Sequence, residues 1–312
     1  MKKFLSIFLV AILAISLTAC GSNNSGTENT NSSNGDSGEQ IKPEKIVMGF
    51  VPSQDSDSIA DTVQPLADRL GEELGVEVEG RVMTDYTALI EAMGSNTVHV
   101  GFIPAFGYVL ANEQYGAEVI LKSMRHGSGT YKAQYLVRAD SGIESLADLE
   151  GKVWAYGDAT STSGFLFPAS QLMDEFDISS TQDLQTNFFS DTIQTGGHDQ
   201  AAIAVLEGDA DVATTFDDVR TTLTEEYDTI MEDLKVLGYT EEIPNDTISV
   251  TKELDKELVQ QIKDAFLSFN DDEEMIQIMN DVYNWDAISE ATDEEYKVVK
   301  ETYEKFKDSI SF

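Results

Sequence analysis

From Ile46 onward, short apolar runs alternate with stretches whose apolar residues recur every three or four positions, and that alternation leaves few folds open. Residues 46–51 (IVMGFV) read as a buried strand, and Ile59, Val63, Leu66 and Leu70 follow at helical spacing. Val76, Val78 and Val82 mark a second strand, 86–93 a helix begun near Thr84 or Asp85, and 98–103 a third strand. Further strands are expected at 119–124, 135–138, 153–156, 188–189, 211–214, 235–238 and 247–250. The C-terminal part reads as helical, with Leu258, Ile262, Ala265 and Phe266 on one stripe and Tyr296, Val299, Tyr303 and Phe306 on another. Thr292 and Glu295 are spaced as a capping box. Repeated strand-helix units imply an α/β class with largely parallel sheets. About 270 residues beyond position 43 exceed the usual size of one core, which points to two lobes around a cleft. The expected division is 44–132 plus 245–312 for the first lobe and 133–244 for the second.

The N-terminus fixes the compartment. Lys2 and Lys3 precede an apolar run over 4–17, and Cys20 follows Leu17, Thr18 and Ala19. Fourteen apolar residues are too few to span a hydrocarbon core of about 30 Å. The pattern reads as a secretory signal over 1–19, and its end resembles the site at which a lipoprotein is cleaved to leave a diacylated cysteine. Cys20 is therefore expected to anchor the chain to the outer face of the cell membrane through its lipid. It is the only cysteine, so neither a disulfide nor thiol chemistry is expected. Residues 20–43, rich in Ser, Asn, Gly and Thr, read as a flexible tether.

With 57 acidic and 20 basic residues the formal charge is -37, which excludes nucleic acid as a partner. Any anionic ligand must then be held by local dipoles against an unfavourable overall field.

Two segments offer such dipoles. Between the strand at 153–156 and an apolar, helical segment lie Asp158, Ala159, Thr160, Ser161, Thr162, Ser163 and Gly164. Hydroxyls gathered at a helix start add neutral donors to unpaired N–H groups, an arrangement suited to an oxyanion; simple N-capping is the competing explanation. Downstream, Gly196, Gly197 and His198 precede another helical stretch, where the imidazole is either structural or a donor to the same ligand. Asp217 and Asp218 follow a strand, and Asp246 precedes one; each is either a solvated carboxylate or part of the site. Ser161 or Ser163 with His198 and Asp218 could be drawn as a hydrolase triad. There is no G-x-S-x-G elbow, however, and His99 and His126 lack zinc-ligand spacing. Catalysis, a metal and a cofactor are accordingly not expected.

The segments TDYTALIEAM, STSGFLFP, GGHDQAAIAVLEGDADVAT and IPND resemble signature stretches of the phosphate/phosphite/phosphonate group of ABC transporter substrate-binding proteins. The likeness runs from about residue 45 to about 250. It implies a type II periplasmic-binding-protein fold, two α/β lobes joined by two crossover strands, enclosing a small phosphorus oxyanion for delivery to an ABC permease. It further implies that Ser161, Thr162, Ser163 and His198 hold the phosphonyl oxygens and that Tyr86 contacts them from the first lobe. Asp218 and Asp246 would face the substituent, favouring a ligand with a proton or an ammonium. Ile103 and Pro104 stand where some members carry Tyr-Gly, so one hydroxyl contact is expected to be missing. Receptors for sulfonate, nitrate or a thiamin precursor, and a sensor subunit feeding a kinase, share the fold and remain alternatives.

Overall fold

The computed structural model describes residues 40–54, 56–217 and 219–308. Cys20, the signal and most of the tether lie outside the described residues, as does Asp218.

Two sheets organise the chain. The first begins with β1 (Lys45–Phe50), β2 (Glu77–Val82), β3 (Val100–Ile103) and β4 (Glu118–Met124). The second is built from β5 (Thr130–Arg138), β6 (Val153–Tyr156), β7 (Asp191–Gln194), β8 (Val212–Phe216) and β9 (Leu234–Pro244). The chain then returns to the first sheet as β10 (Thr247–Val250) and β11 (Ala287–Glu290). Strand order is β11-β4-β10-β3-β1-β2 in one sheet and β7-β6-β8-β5-β9 in the other. Each sheet centres one lobe of a two-lobed α/β fold.

The sheets are mixed, not largely parallel as expected. β1 pairs in parallel with β2 and β3, and β6 with β7 and β8. The strands adjoining the two crossings run the other way: β10 is antiparallel to β3 and β4, and β5 to β8 and β9. Helical crossovers give parallel neighbours, whereas a strand that arrives directly from the other sheet is free to enter reversed.

Strand periodicity misled in identifiable places. Phe188 closes a wide helical turn in which Phe189 N–H donates to Leu184 O at 3.0 Å, so 188–189 is not a strand. This apolar pair is a core element: Phe189 stacks on Trp154 at 5.0 Å and Phe188 on Phe176 at 5.0 Å. The true strand is β7, a short edge with little apolar content (DTIQ), the type of strand hydrophobic patterning misses. β11 escaped for the same reason. β5 and β9 are longer than expected, because a bulged antiparallel ladder continues through polar positions such as Lys132 and Glu242.

The chain leaves the first sheet at Met124 and enters the second at Thr130, so the first crossing between the sheets lies within 125–129. The second crossing consists of Asn245 and Asp246 alone. Asn245 stitches the two crossings together: its Nδ2 donates to Ser123 O at 3.0 Å and to Ser128 O at 2.8 Å, and Tyr296 Oη donates to Asn245 O at 3.1 Å. The expected capping box at Thr292 and Glu295 is present and leads into the last helix, Lys297–Phe306. That helix touches both lobes: Tyr303 packs on Phe106 at 5.3 Å, and Lys305 pairs with Asp174. No helix among the described residues is long and apolar enough to cross a membrane.

Candidate functional site

The hydroxyl segment is shaped by its own side chains. After β6 the carboxylate of Asp158 accepts from Thr160 N at 2.8 Å and Thr160 Oγ1 at 2.6 Å, which turns the chain. Ser161 then caps the following turn, its Oγ accepting from Gly164 N at 3.1 Å. Leu166 N–H reaches back five residues to Ser161 O at 3.1 Å, so the first turn is wide before the regular helix Phe167–Glu175 begins.

Thr162 faces elsewhere. Its Oγ1 accepts from Phe106 N at 2.8 Å, at the start of the first-lobe helix Ala105–Tyr115. Pro104, the residue in the capping position of that helix, has no side-chain oxygen, and Thr162 supplies the missing acceptor from the opposite lobe. Thr162 is fully buried but does not line the cavity that Ser161 and Ser163 line.

That cavity, about 20 Å³, is bounded by Tyr86, Arg125, Tyr131, Ser161, Ser163, His198 and Asp246, with Phe216, Tyr283 and Trp285 among its apolar walls. His198 opens the helix His198–Glu207, and its N–H donates to Ser53 O in the first lobe at 2.9 Å. The imidazole meets the Phe216 ring edge-on at 5.1 Å, with Nε2 3.4 Å from Ser161 Oγ. Burial, aided by the nearby Arg125 guanidinium, pushes its pKa down to about 3. The ring is therefore neutral at pH 7, and its buried Nδ1 has no partner among the described residues. Gly164 lets the two segments meet: a Cβ there would lie 2.9 Å from Ser161 Oγ and 3.3 Å from His198 Cε1.

Tyr86 starts the helix Tyr86–Gly94, held by Asp85, whose Oδ1 accepts from Ala88 N at 2.7 Å. Burial raises the Tyr86 phenol well above its ordinary pKa, with the Asp158 charge adding to the effect, so it stays protonated. Burial likewise raises the Tyr131 phenol, the Asp246 charge adding to the effect and the Ser163 hydroxyl opposing it.

Arg125 and Asp246 come from the two crossings. Arg125 Nη2 donates to Asp246 Oδ2 at 3.2 Å, and the guanidinium lies 5.5 Å from the Tyr131 ring centroid and 5.4 Å from that of Phe216. Desolvation raises the pKa of Asp246, and Arg125 opposes that rise. Asp217 is half-buried and shifted upward by desolvation, but it does not line the cavity.

The structure thus brings Tyr86, Ser161, Ser163, His198 and Asp246 to one enclosed space and places Thr162 just behind it. Sequence reading missed Arg125, Tyr131 and the Tyr283–Trp285 wall. A signal for Arg125 existed, since it is one of only five arginines and follows a strand directly. The set is chemically an oxyanion receptacle: hydroxyls, neutral phenols and a neutral imidazole, with one guanidinium balanced by one carboxylate. Among the described residues no cluster of His, Cys, Asp or Glu is arranged to hold a metal.

Comparison with known proteins agrees with this chemistry. The model of the ABC transporter phosphonate periplasmic substrate-binding protein family matches residues 48–296. The chain is 29% identical over 231 residues to the phosphate-import protein PhnD of Mycolicibacterium smegmatis, covering 72% of this chain and 71% of that protein. It is 27% identical to the phosphonates-binding periplasmic protein of Escherichia coli, covering 71% of this chain and 65% of that one, just under two thirds of its length. In fold it is similar to the methylphosphonate complex of PhnD1 from Prochlorococcus marinus, with TM-score 0.74, 19% identity and 85% and 98% of the two chains covered. The binding component of an ABC phosphonate transporter from Pseudomonas aeruginosa gives TM-score 0.75 at 20% identity, over 84% of this chain and 86% of that one. The chain belongs to the phosphonate family of ABC transporter substrate-binding proteins, whose members are extracytoplasmic receptors and not enzymes.

Proposed function

We propose that this protein is a lipid-anchored receptor, tethered through Cys20, that captures a small phosphorus oxyanion (phosphonate, phosphite or phosphate) and delivers it to an ABC permease. The lobes divide at the two crossings, within 125–129 and at Asn245 and Asp246, and close on the ligand between them. Ser161, Ser163, Tyr86 and His198 replace the ligand's water shell, while Thr162 holds the lobes in register behind them.

One observation carries the reading: hydroxyls from one helix start and a neutral imidazole from another converge, 3.4 Å apart at their nearest, on a single cavity. Bonds to an ionised oxygen are short and strong, and in a dry cavity they outweigh a remote acidic surface screened beyond about 8 Å at physiological salt. The relatives named for phosphate import and phosphonate binding support the ligand class.

Calorimetry tests this directly with methylphosphonate, phosphite, phosphate and sulfate. The double variant Ser161→Ala with Ser163→Ala leaves ligand oxygens unpaired and is expected to weaken phosphorus-oxyanion binding by about 100-fold or more. Unchanged affinity would place the site elsewhere.

A further inference from the structure

Among the described residues Arg125 is the one cation in the cavity wall, and its surroundings fix it there. Its side chain is 11% exposed, its guanidinium lies beside two aromatic rings, and its charge is answered by Asp246 across the two crossings. Only Nη2 is engaged by the carboxylate; Nε is buried and has no partner among the described residues. Among the described residues Asp246 is the only carboxylate lining the cavity, and it already faces this guanidinium. The remaining space, about 20 Å³, is close to that of a single water, so every added substituent atom requires the walls to move apart.

We infer that Arg125 is a specificity-determining residue: it fills the cationic position of the site, so the receptor accepts phosphorus oxyanions with a small uncharged substituent and rejects those that carry an ammonium. This rests on the phosphorus-oxyanion reading above and names its substrate class. An ammonium brought into the cavity meets a guanidinium already in possession of Asp246, and like charges in a dry, enclosed site repel strongly. A methyl group or a hydrogen raises no such conflict, and the oxyanion gains the positive charge of the Arg125 guanidinium beside it. Of the two acidic residues expected to face an ammonium, Asp218 lies outside the described residues, and Asp246 is met by the chain's own cation.

The test is calorimetry with methylphosphonate, phosphite and 2-aminoethylphosphonate on the wild-type protein, Arg125→Met and Asp246→Asn, each checked for folding by its melting curve. Wild type is expected to bind methylphosphonate or phosphite about 100-fold more tightly than 2-aminoethylphosphonate. Arg125→Met keeps the aliphatic bulk beside the rings and frees Asp246; it should weaken methylphosphonate by about ten-fold and narrow or reverse the preference. Asp246→Asn leaves Arg125 uncompensated and should tighten methylphosphonate while 2-aminoethylphosphonate stays weak, which keeps the inference testable if Arg125→Met does not fold. Equal or tighter wild-type binding of 2-aminoethylphosphonate, or an unchanged preference in the folded Arg125→Met protein, overturns the role of Arg125 and leaves the phosphorus-oxyanion reading standing. A wild-type protein that binds none of the three ligands overturns both.

Discussion

Acidification should weaken the folded protein through His198, and the size of the effect follows from its burial. The folded imidazole has its pKa pushed down to about 3, while in the unfolded chain it lies near the ordinary value of 6.5. A depressed folded pKa means that the unfolded state takes up the proton first, so this contribution is whole above pH 6.5 and is lost as pH falls toward 3. At pH 5 the unfolded imidazole is about 97% protonated and the folded one almost not at all. Integrated from pH 7 to 5, the loss is about 2 kcal/mol, a substantial part of a typical folding stability of about 5–15 kcal/mol. Asp217 and Asp246, shifted upward, act in the opposite sense, gaining stability as pH falls through their folded values. Comparison with His198→Asn separates the terms, since Asn keeps a polar side chain but does not titrate. Urea unfolding at pH 7 and pH 5 should show the wild type losing about 2 kcal/mol more than the variant. Equal losses in the two proteins would refute the premise that His198 is held neutral by burial.

Two further substitutions probe the packing behind the site. Gly164→Ala places a methyl group 2.9 Å from Ser161 Oγ and should lower oxyanion affinity about ten-fold by forcing the serine and His198 apart; binding within two-fold of wild type would show that the contact yields freely. Thr162→Val retains shape but strips the acceptor from the buried Phe106 N–H, and should cost the ligand-free protein about 1–3 kcal/mol in urea unfolding. An unchanged midpoint would mean that this cap contributes nothing.

What could be read from sequence was what is encoded locally. The α/β class, the helix start at Asp85, the box at Thr292 and the hydroxyls after β6 all depend on residues within a few positions of one another. What could not be read depends on long-range contacts. Arg125 gains its meaning from Asp246, 121 residues away, and Thr162 from Phe106, 56 residues back. Taken alone, Thr162 is indistinguishable from its serine neighbours, yet it alone turns toward the other lobe. The mixed strand directions were equally hidden, because an apolar run shows how deeply a strand is buried and not which way its neighbour points.

The last helix has a mechanical consequence. Two crossings only a few residues long would by themselves act as a free hinge, but Lys297–Phe306 fastens one lobe to the other through Tyr303 on Phe106 and Lys305 on Asp174. A tilted ring pair contributes about 0.5–1.5 kcal/mol and an exposed ion pair about 0–1 kcal/mol. Such a clasp by itself tips the balance between shut and ajar by roughly two- to seventy-fold, so ordinary thermal agitation can spring it.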